Sequence, residues 1–251
     1  MTSSPKILVE LANVSKEYRV GEIHTVALKE VSFKIYEGDL VAIMGPSGSG
    51  KTTLLNMIGL LDRPSSGKIF FEGRDISKMS DKELAYLRNA KIGFVFQTFN
   101  LVNRLTVFEN IELPLIPKGL PRSVRAEMVK EALLKVGGEL EWLRKKPNQL
   151  SGGQQQRVAI ARAIVGNPLI ILADEPTGNL DRASAKIVVE TFLKLNKEGH
   201  SIIVVTHDPE IANCMEKIYV IRDGTIIGQY YADPKESLLN KISGGYVSGG
   251  H

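Results

Sequence analysis

Read for its alternation of apolar and polar positions, the chain opens as strand. Ile7–Leu11 and Val31–Ile35 are short β-rich runs, and Gly21 and Gly38 mark turns beside them. These predict an antiparallel β region. Leu40–Met44 is different: five apolar residues in succession run into a glycine-rich stretch, as expected of a strand buried on both faces. A helix is expected to start near Gly50 and to stop before Pro64, because proline disfavours helix at the residue before it. Leu169–Ala173 and Ser201–Thr206 read as two more buried strands. Between them, Ser184–Lys197 carries Ile187, Val188, Thr191, Phe192 and Leu195 at helical spacing. Strand, helix, strand implies a right-handed crossover and a parallel sheet.

From about Thr98 to Ile160 the strand signal fades and helical segments such as Ser123–Val136 dominate. The fold predicted is an α/β core made of residues 1–97 and 161–231, beginning with the antiparallel β region. Residues 98–160 form an inserted helical subdomain, and 232–251 a loosely ordered, glycine-rich tail. No internal repeat is visible.

Composition narrows the class. Of 251 residues, 43% are hydrophobic and 24% charged, which is globular and not disordered. The 32 basic and 28 acidic residues leave a net charge of +4, but the signs are interspersed, as in Asp81-Lys82-Glu83. No cationic block suggests nucleic acid, and none is expected as a partner. The lone Cys214 excludes an intramolecular disulfide and suits a reducing compartment. The first residues lack a signal-peptide core, and no apolar run approaches the ~18 residues of a spanning helix. The expectation is a cytoplasmic protein that reaches a membrane only through a partner.

Gly45-Pro46-Ser47-Gly48-Ser49-Gly50-Lys51-Thr52, followed by Thr53, matches G-x-x-x-x-G-K-[ST] between a buried strand and a helix. The glycines let consecutive backbone N–H groups close on phosphate oxygens at the positive end of the helix. Lys51 would reach the β- and γ-phosphates, and the Thr52 hydroxyl would ligate Mg²⁺. Leu169–Ala173 runs into Asp174-Glu175, at the strand end where parallel sheets bind ligands. Asp174 suits Mg²⁺, directly or through water. Glu175 is placed to deprotonate or orient an attacking water. His207 ends another buried strand, where an imidazole could bond the γ-phosphate or that water. Leu150-Ser151-Gly152-Gly153-Gln154 offers a hydroxyl and free N–H groups at a helix start. Serine there is a common cap, but it also makes a second anion site. One γ-phosphate does not need two cradles from one chain, so this one is expected to serve a nucleotide held by a second copy.

At this point the sequence resembles the nucleotide-binding domains of ABC transporters over residues 6–230. The phosphate loop, Gln97, Leu150–Gln154, Asp174-Glu175, Asn179-Leu180-Asp181 and His207 fall in family order. The resemblance implies ATP and Mg²⁺ as cofactors, ATP hydrolysis, and two copies closing around two ATP. It implies that Tyr18 stacks on adenine, and that Gln97 senses Mg²⁺ and the attacking water while touching a membrane partner. Ser151 and Gly153 would bind the γ-phosphate across the dimer, Asp181 would link the two sites, and His207 would act as a switch. Phe94–Leu101, Glu109–Leu115 and Asp174–Asp181 resemble more closely the ATPases of the macrolide-export, lipoprotein-release and cell-division type. That subgroup implies an integral-membrane permease as partner and a peripheral position on the inner face of the membrane. Within Phe99–Leu115, Phe99 and Leu101 are expected to line a groove for a permease helix. The competing reading is a non-transport ABC ATPase acting on ribosome or DNA. Such proteins typically carry two cassettes or a long coiled coil, and this chain has one of each motif and no room for the coil.

Overall fold

A computed structural model describes residues 6–21 and 23–243. Two strands, β1 (Ile7–Val20) and β2 (Ile23–Tyr36), pair antiparallel. Each has 14 residues and outruns the apolar stretches that announced it. The reason is local. The register slips between Leu11 and Val14, and Asn13 and Glu30 take left-handed φ of 50° and 47°. Such bulges break the alternation by which a strand is recognised. After β3 (Leu40–Met44), β1 also pairs with β4 (Ser66–Phe71), which carries the short β5 (Arg74–Asp75). That makes a four-stranded sheet, ordered β2-β1-β4-β5.

The central sheet adds β6 (Ile92–Phe96), β7 (Ile170–Asp174), β8 (Ser201–Thr206), β9 (Lys217–Arg222) and β10 (Thr225–Tyr231) to β3. The order is β10-β9-β3-β8-β7-β6. All pairs are parallel except β9–β10. The apolar runs are continuous because each strand feeds both faces. Leu40, Ala42, Ile171, Ala173, Ile202 and Val204 join one core; Val41, Ile43, Ile170, Leu172, Ile203 and Val205 join the other.

The helices are α1 (Lys51–Ile58), α2 (Asp81–Lys91), α3 (Val107–Glu112), α4 (Arg122–Lys135), α5 (Gly152–Ile164), α6 (Arg182–Lys197), α7 (Pro209–Ala212) and α8 (Leu238–Ser243). Helix α1 stops well short of Pro64. Gly59 caps it, and Leu60 turns left-handed at φ 55°. Between β6 and β7 no strand occurs among the described residues, and α3, α4 and α5 fill the stretch with short 3-10 turns. Their apolar faces, including Ile111, Val129, Leu133 and the buried Trp142, run into the first core. Helix α5 continues four residues past the boundary expected at Ile160.

The tail departs from expectation. Residues 234–236 form a 3-10 turn and α8 follows, with Leu238 only 3% exposed and joined to the first core. Leu238 docks it beside Ile211 and Ala185, and Ala232 and Leu239 pack against the same core. Residues 244–251 lie outside the described residues.

Candidate functional site

The loop after β3 is shaped by close approach. A methyl on Gly45 would sit 2.2 Å from the Ile221 carbonyl oxygen. One on Gly50 would sit 2.5 Å from that of Ala27, and Gly50 is also left-handed at φ 102°. Only glycine meets both conditions there. Lys51 opens α1 almost buried, its Nζ donating to Gly45 O at 2.9 Å and Pro46 O at 3.0 Å. The ammonium thus holds the loop in the curved form a phosphate needs. The Ser49 hydroxyl inside the curve is buried without a partner among the described residues.

The register of the sheet brings the other groups to the same edge. Met44 pairs with Thr206, Asp174 with Val205, and Phe96 with Asp174, so all four strands end in one row. Thr52 Oγ1 donates to Asp174 Oδ2 at 3.0 Å. Burial pushes the Asp174 carboxyl above its ordinary pKa, and the neighbouring Glu175 adds to the rise; the Thr52 bond and Lys51 oppose it. A hydroxyl and a carboxylate meeting beside a phosphate loop are hard oxygen donors, and they fit Mg²⁺. Glu175 sits at φ 46°, its N–H donating to Val205 O at 2.9 Å. His207 Nδ1 lies 2.8 Å from Glu175 Oε1. Gln97 follows β6; Asn179 Nδ2 donates to its carbonyl at 3.1 Å.

One cavity of about 660 Å³ gathers Ser47, Gly48, Gly50, Lys51, Thr52, Thr53, Gln97, Asp174, Glu175 and His207. Thr25, Val26 and Ala27 of β2 complete its wall, and no motif marks them in the chain. Their place follows from the approach of Gly50 to Ala27, a contact between residues far apart in the chain. Tyr18 is not in the lining. It pairs with Thr25 across the hairpin, 38% exposed, its hydroxyl donating to Asp62 at 3.2 Å and Lys16 Nζ 5.0 Å from its ring centre.

Ser151, Gly152, Gly153, Gln154 and Asp181 are also absent from that lining. Ser151 caps α5, its Oγ accepting from Gln154 N at 3.3 Å while Gln154 Oε1 accepts from Ser151 N at 2.9 Å. A methyl on Gly153 would strike the Ser184 hydroxyl at 2.5 Å, so this loop packs against the start of α6. Asp181 caps that helix, accepting from Ser184 N at 3.0 Å and Ser184 Oγ at 2.6 Å; these bonds hold its carboxyl below the ordinary range.

Neither residue expected to line a groove opens on a cavity among the described residues. Phe99 lies beside Gly152, and Leu101 packs on the first core. A hollow of about 410 Å³ opens instead between Leu61, Ala85, Phe94, Phe96, Asn100 and Pro114. Phe99 and Asn100 are both left-handed, which turns the chain before Leu101 and carries it inward. No helix among the described residues is long and apolar enough to cross a membrane.

Comparison with known proteins agrees with this geometry. The family model described as ABC transporter matches residues 28–178. An uncharacterized ABC transporter ATP-binding protein of Thermotoga maritima is 52% identical over 89% of this chain and 95% of its own length. The macrolide export ATP-binding/permease protein MacB of Syntrophobacter fumaroxidans is 51% identical over 87% of this chain, which spans 31% of that longer protein. The solved ATP-binding cassette MJ0796, dimeric and bound to ADP and Pi, superimposes with a TM-score of 0.84 at 46% identity. That match covers 90% of this chain and 99% of the other. A family match over residues 28–178, and a relative about half identical along nearly its whole length, show that the chain belongs to the ABC transporter ATP-binding family.

Proposed function

We propose that this ABC ATPase closes as a dimer around two ATP and drives a membrane permease of the macrolide-export or lipoprotein-release type. The observation that carries the dimer is the separation of the two anion sites. Lys51 and its loop line the cavity, whereas Ser151 and Gly153 stand outside it with N–H groups at a helix start. A second copy, facing this one, brings its Ser151–Gly153 to the ATP on Lys51. The dimeric MJ0796 cassette with ADP and Pi supports that arrangement.

The γ-phosphate is then held from both sides, and closure needs nucleotide in both sites. Thr52 and Asp174 would hold Mg²⁺, which would supply positive charge beside the transferring phosphoryl group. Glu175 accepts the proton of the attacking water, and His207, 2.8 Å from Oε1, restrains its carboxylate. Gln97 lines the same cavity, bonded to Asn179, where its side chain would sense the attacking water and the metal. Asp181 faces the partner copy near Ser184, and Tyr18 offers its ring at the rim to adenine. Cleavage leaves two anionic products between the copies, and they separate.

The permease helix docks in the hollow by Leu61, Asn100 and Pro114, next to the Gln97 segment. Exposed Leu61, Val102 and Ile116 provide apolar surface in the same segments or beside them. The fused ATP-binding/permease relative supports the pairing. The chain would sit on the cytoplasmic face of the membrane. The test is Glu175→Gln with ATP, read by light scattering and by copurification from native membranes. An ATP-dependent dimer carrying a permease is expected. A variant that stays monomeric at saturating ATP overturns the sandwich, and ribosomes or no membrane protein in the captured material overturn the permease.

A further inference from the structure

Gln156 lies in the second turn of α5, fully buried. Its Nε2 is 2.6 Å from Pro176 O and 3.4 Å from Phe96 O. Two carbonyl oxygens face that end of the amide, so the NH2 must point to them; the flipped amide would set oxygen against oxygen. The other end is orphaned, since Oε1 is buried with no partner among the described residues. A buried acceptor without a donor lowers stability, and methionine would fill the same space without that cost. What the glutamine adds is its two N–H bonds.

Their acceptors flank the reacting groups. Pro176 follows Glu175, and Phe96 precedes Gln97. Glu175 is held in a left-handed conformation that a side chain of its size adopts rarely. Val205 fixes the start of its turn, Gly178 N bonds back to Glu175 O at 3.1 Å, and Gln156 fixes the carbonyl between them. Gln156 is five residues beyond Ser151 on the same helix, about 7.5 Å along its axis. We propose that Gln156 is a positioning residue, tying the helix that carries Ser151 and Gly153 to the backbone beside Glu175 and Gln97. The seating of that helix on nucleotide thereby sets the base and the glutamine for hydrolysis. This rests on the assignment of Glu175 as base.

Gln156→Met keeps volume and helix propensity and removes both donors. The expected result is a kcat lowered roughly tenfold or more, about 1.4 kcal/mol of barrier per tenfold. KM for ATP and ATP-dependent dimerisation should stay within threefold of wild type. Gln156→Glu supplies a discriminating pH profile. Burial raises the new carboxyl's pKa; protonated, it can donate to Pro176 O, and ionised, it repels both carbonyls. Its kcat relative to wild type should therefore fall as pH rises through that raised pKa and recover as pH is lowered. A Gln156→Met enzyme with kcat within twofold of wild type overturns the proposal. So does a flat relative pH profile for Gln156→Glu, or loss of the cooperative melt in both variants, which would make Gln156 a residue of core stability only. Glu175→Gln is run alongside. If it still turns over, the base assignment fails; if it is inactive while Gln156→Met is normal, the positioning role alone fails.

Discussion

Arg162 reaches from α5 to the turn after Gln97, its Nη2 donating to Phe99 O at 2.9 Å and Nη1 to Asn100 O at 2.5 Å. Both acceptors belong to left-handed residues, at φ 60° and 49°. For a phenylalanine that conformation costs roughly 1–2 kcal/mol, so the turn needs an external hold. Burial lowers the pKa of the guanidinium, and no carboxylate among the described residues lies within ion-pair distance. Arg162→Met keeps the aliphatic stem and removes the fork. Two hydrogen bonds from a charged donor contribute about 1.5–3 kcal/mol each. Relief of the buried charge returns part of that, leaving a net loss on the order of 2–4 kcal/mol. At about 2–4 °C per kcal/mol for a chain of this size, the melting temperature should fall by roughly 5–15 °C. Arg162→Lys should recover less than half, because one ammonium does not reproduce the fork. Thermal melts and basal ATPase are read together, since the same turn leads out of Gln97. A Met variant melting within 2 °C of wild type, with normal turnover, would refute the claim that the guanidinium holds the turn.

Other expectations follow from single contacts. Lys51→Ala should weaken ATP binding roughly 30- to 5,000-fold in calorimetry. A doubly charged phosphate ~4 Å away is worth about 8 kcal/mol at an effective dielectric near 20, and the two loop bonds given up return about 3–6. Affinity within threefold would show that the ammonium serves the loop alone. Gly93→Ala puts a methyl 2.5 Å from Ala163 O, so α5 must lift from β6. Overpacking of this kind costs about 1–3 kcal/mol, read as a lower urea midpoint; an unchanged midpoint would refute that contact. Glu72 bonds Lys6 at 2.9 Å and lies 3.4 Å from Lys91; with the Lys6 bond the largest influence, its pKa is held below the ordinary 4.5 in spite of partial burial. A depressed folded pKa adds stability above the unfolded value that is lost as pH falls through the folded one. The stability gap between wild type and Glu72→Gln should therefore be present at pH 7 and close in acid below pH 4.5; a gap that widens in acid would reverse the sign.

Much of the central sheet could be read from the chain because burial on both faces leaves unbroken apolar runs, and Ser201–Thr206 is delimited to the residue. The phosphate loop and the acidic strand end were legible for a chemical reason, since the residue types are dictated by what they hold. The full length of β1 and β2 was not, because bulges interrupt their alternation. Neither was the wall made by Thr25–Ala27, which depends on a long-range approach to Gly50. The docking of Leu238 was not legible because so few apolar residues in a short polar segment set no clear period, and the direction of Leu101 depends on φ at Phe99 and Asn100. Gln156 gave a signal no stronger than any glutamine on a helix; its burial between two carbonyls appears only once β6, α5 and the turn after β7 are brought together.

The helical stretch leaves the sheet at the end of β6 and returns through α5, which lies on β6 again and leads into β7, its hydrogen-bonded neighbour. Gln156 and Arg162 fasten the returning helix to Phe96, Phe99 and Asn100, close to the point of departure. Such a body is jointed at two places on adjoining strands. Ser151, at the start of α5, is held in turn against α6, where Gly153 packs on Ser184. The attachment therefore works as a yoke, passing load on the helical stretch to the strand ends that carry Gln97 and Glu175.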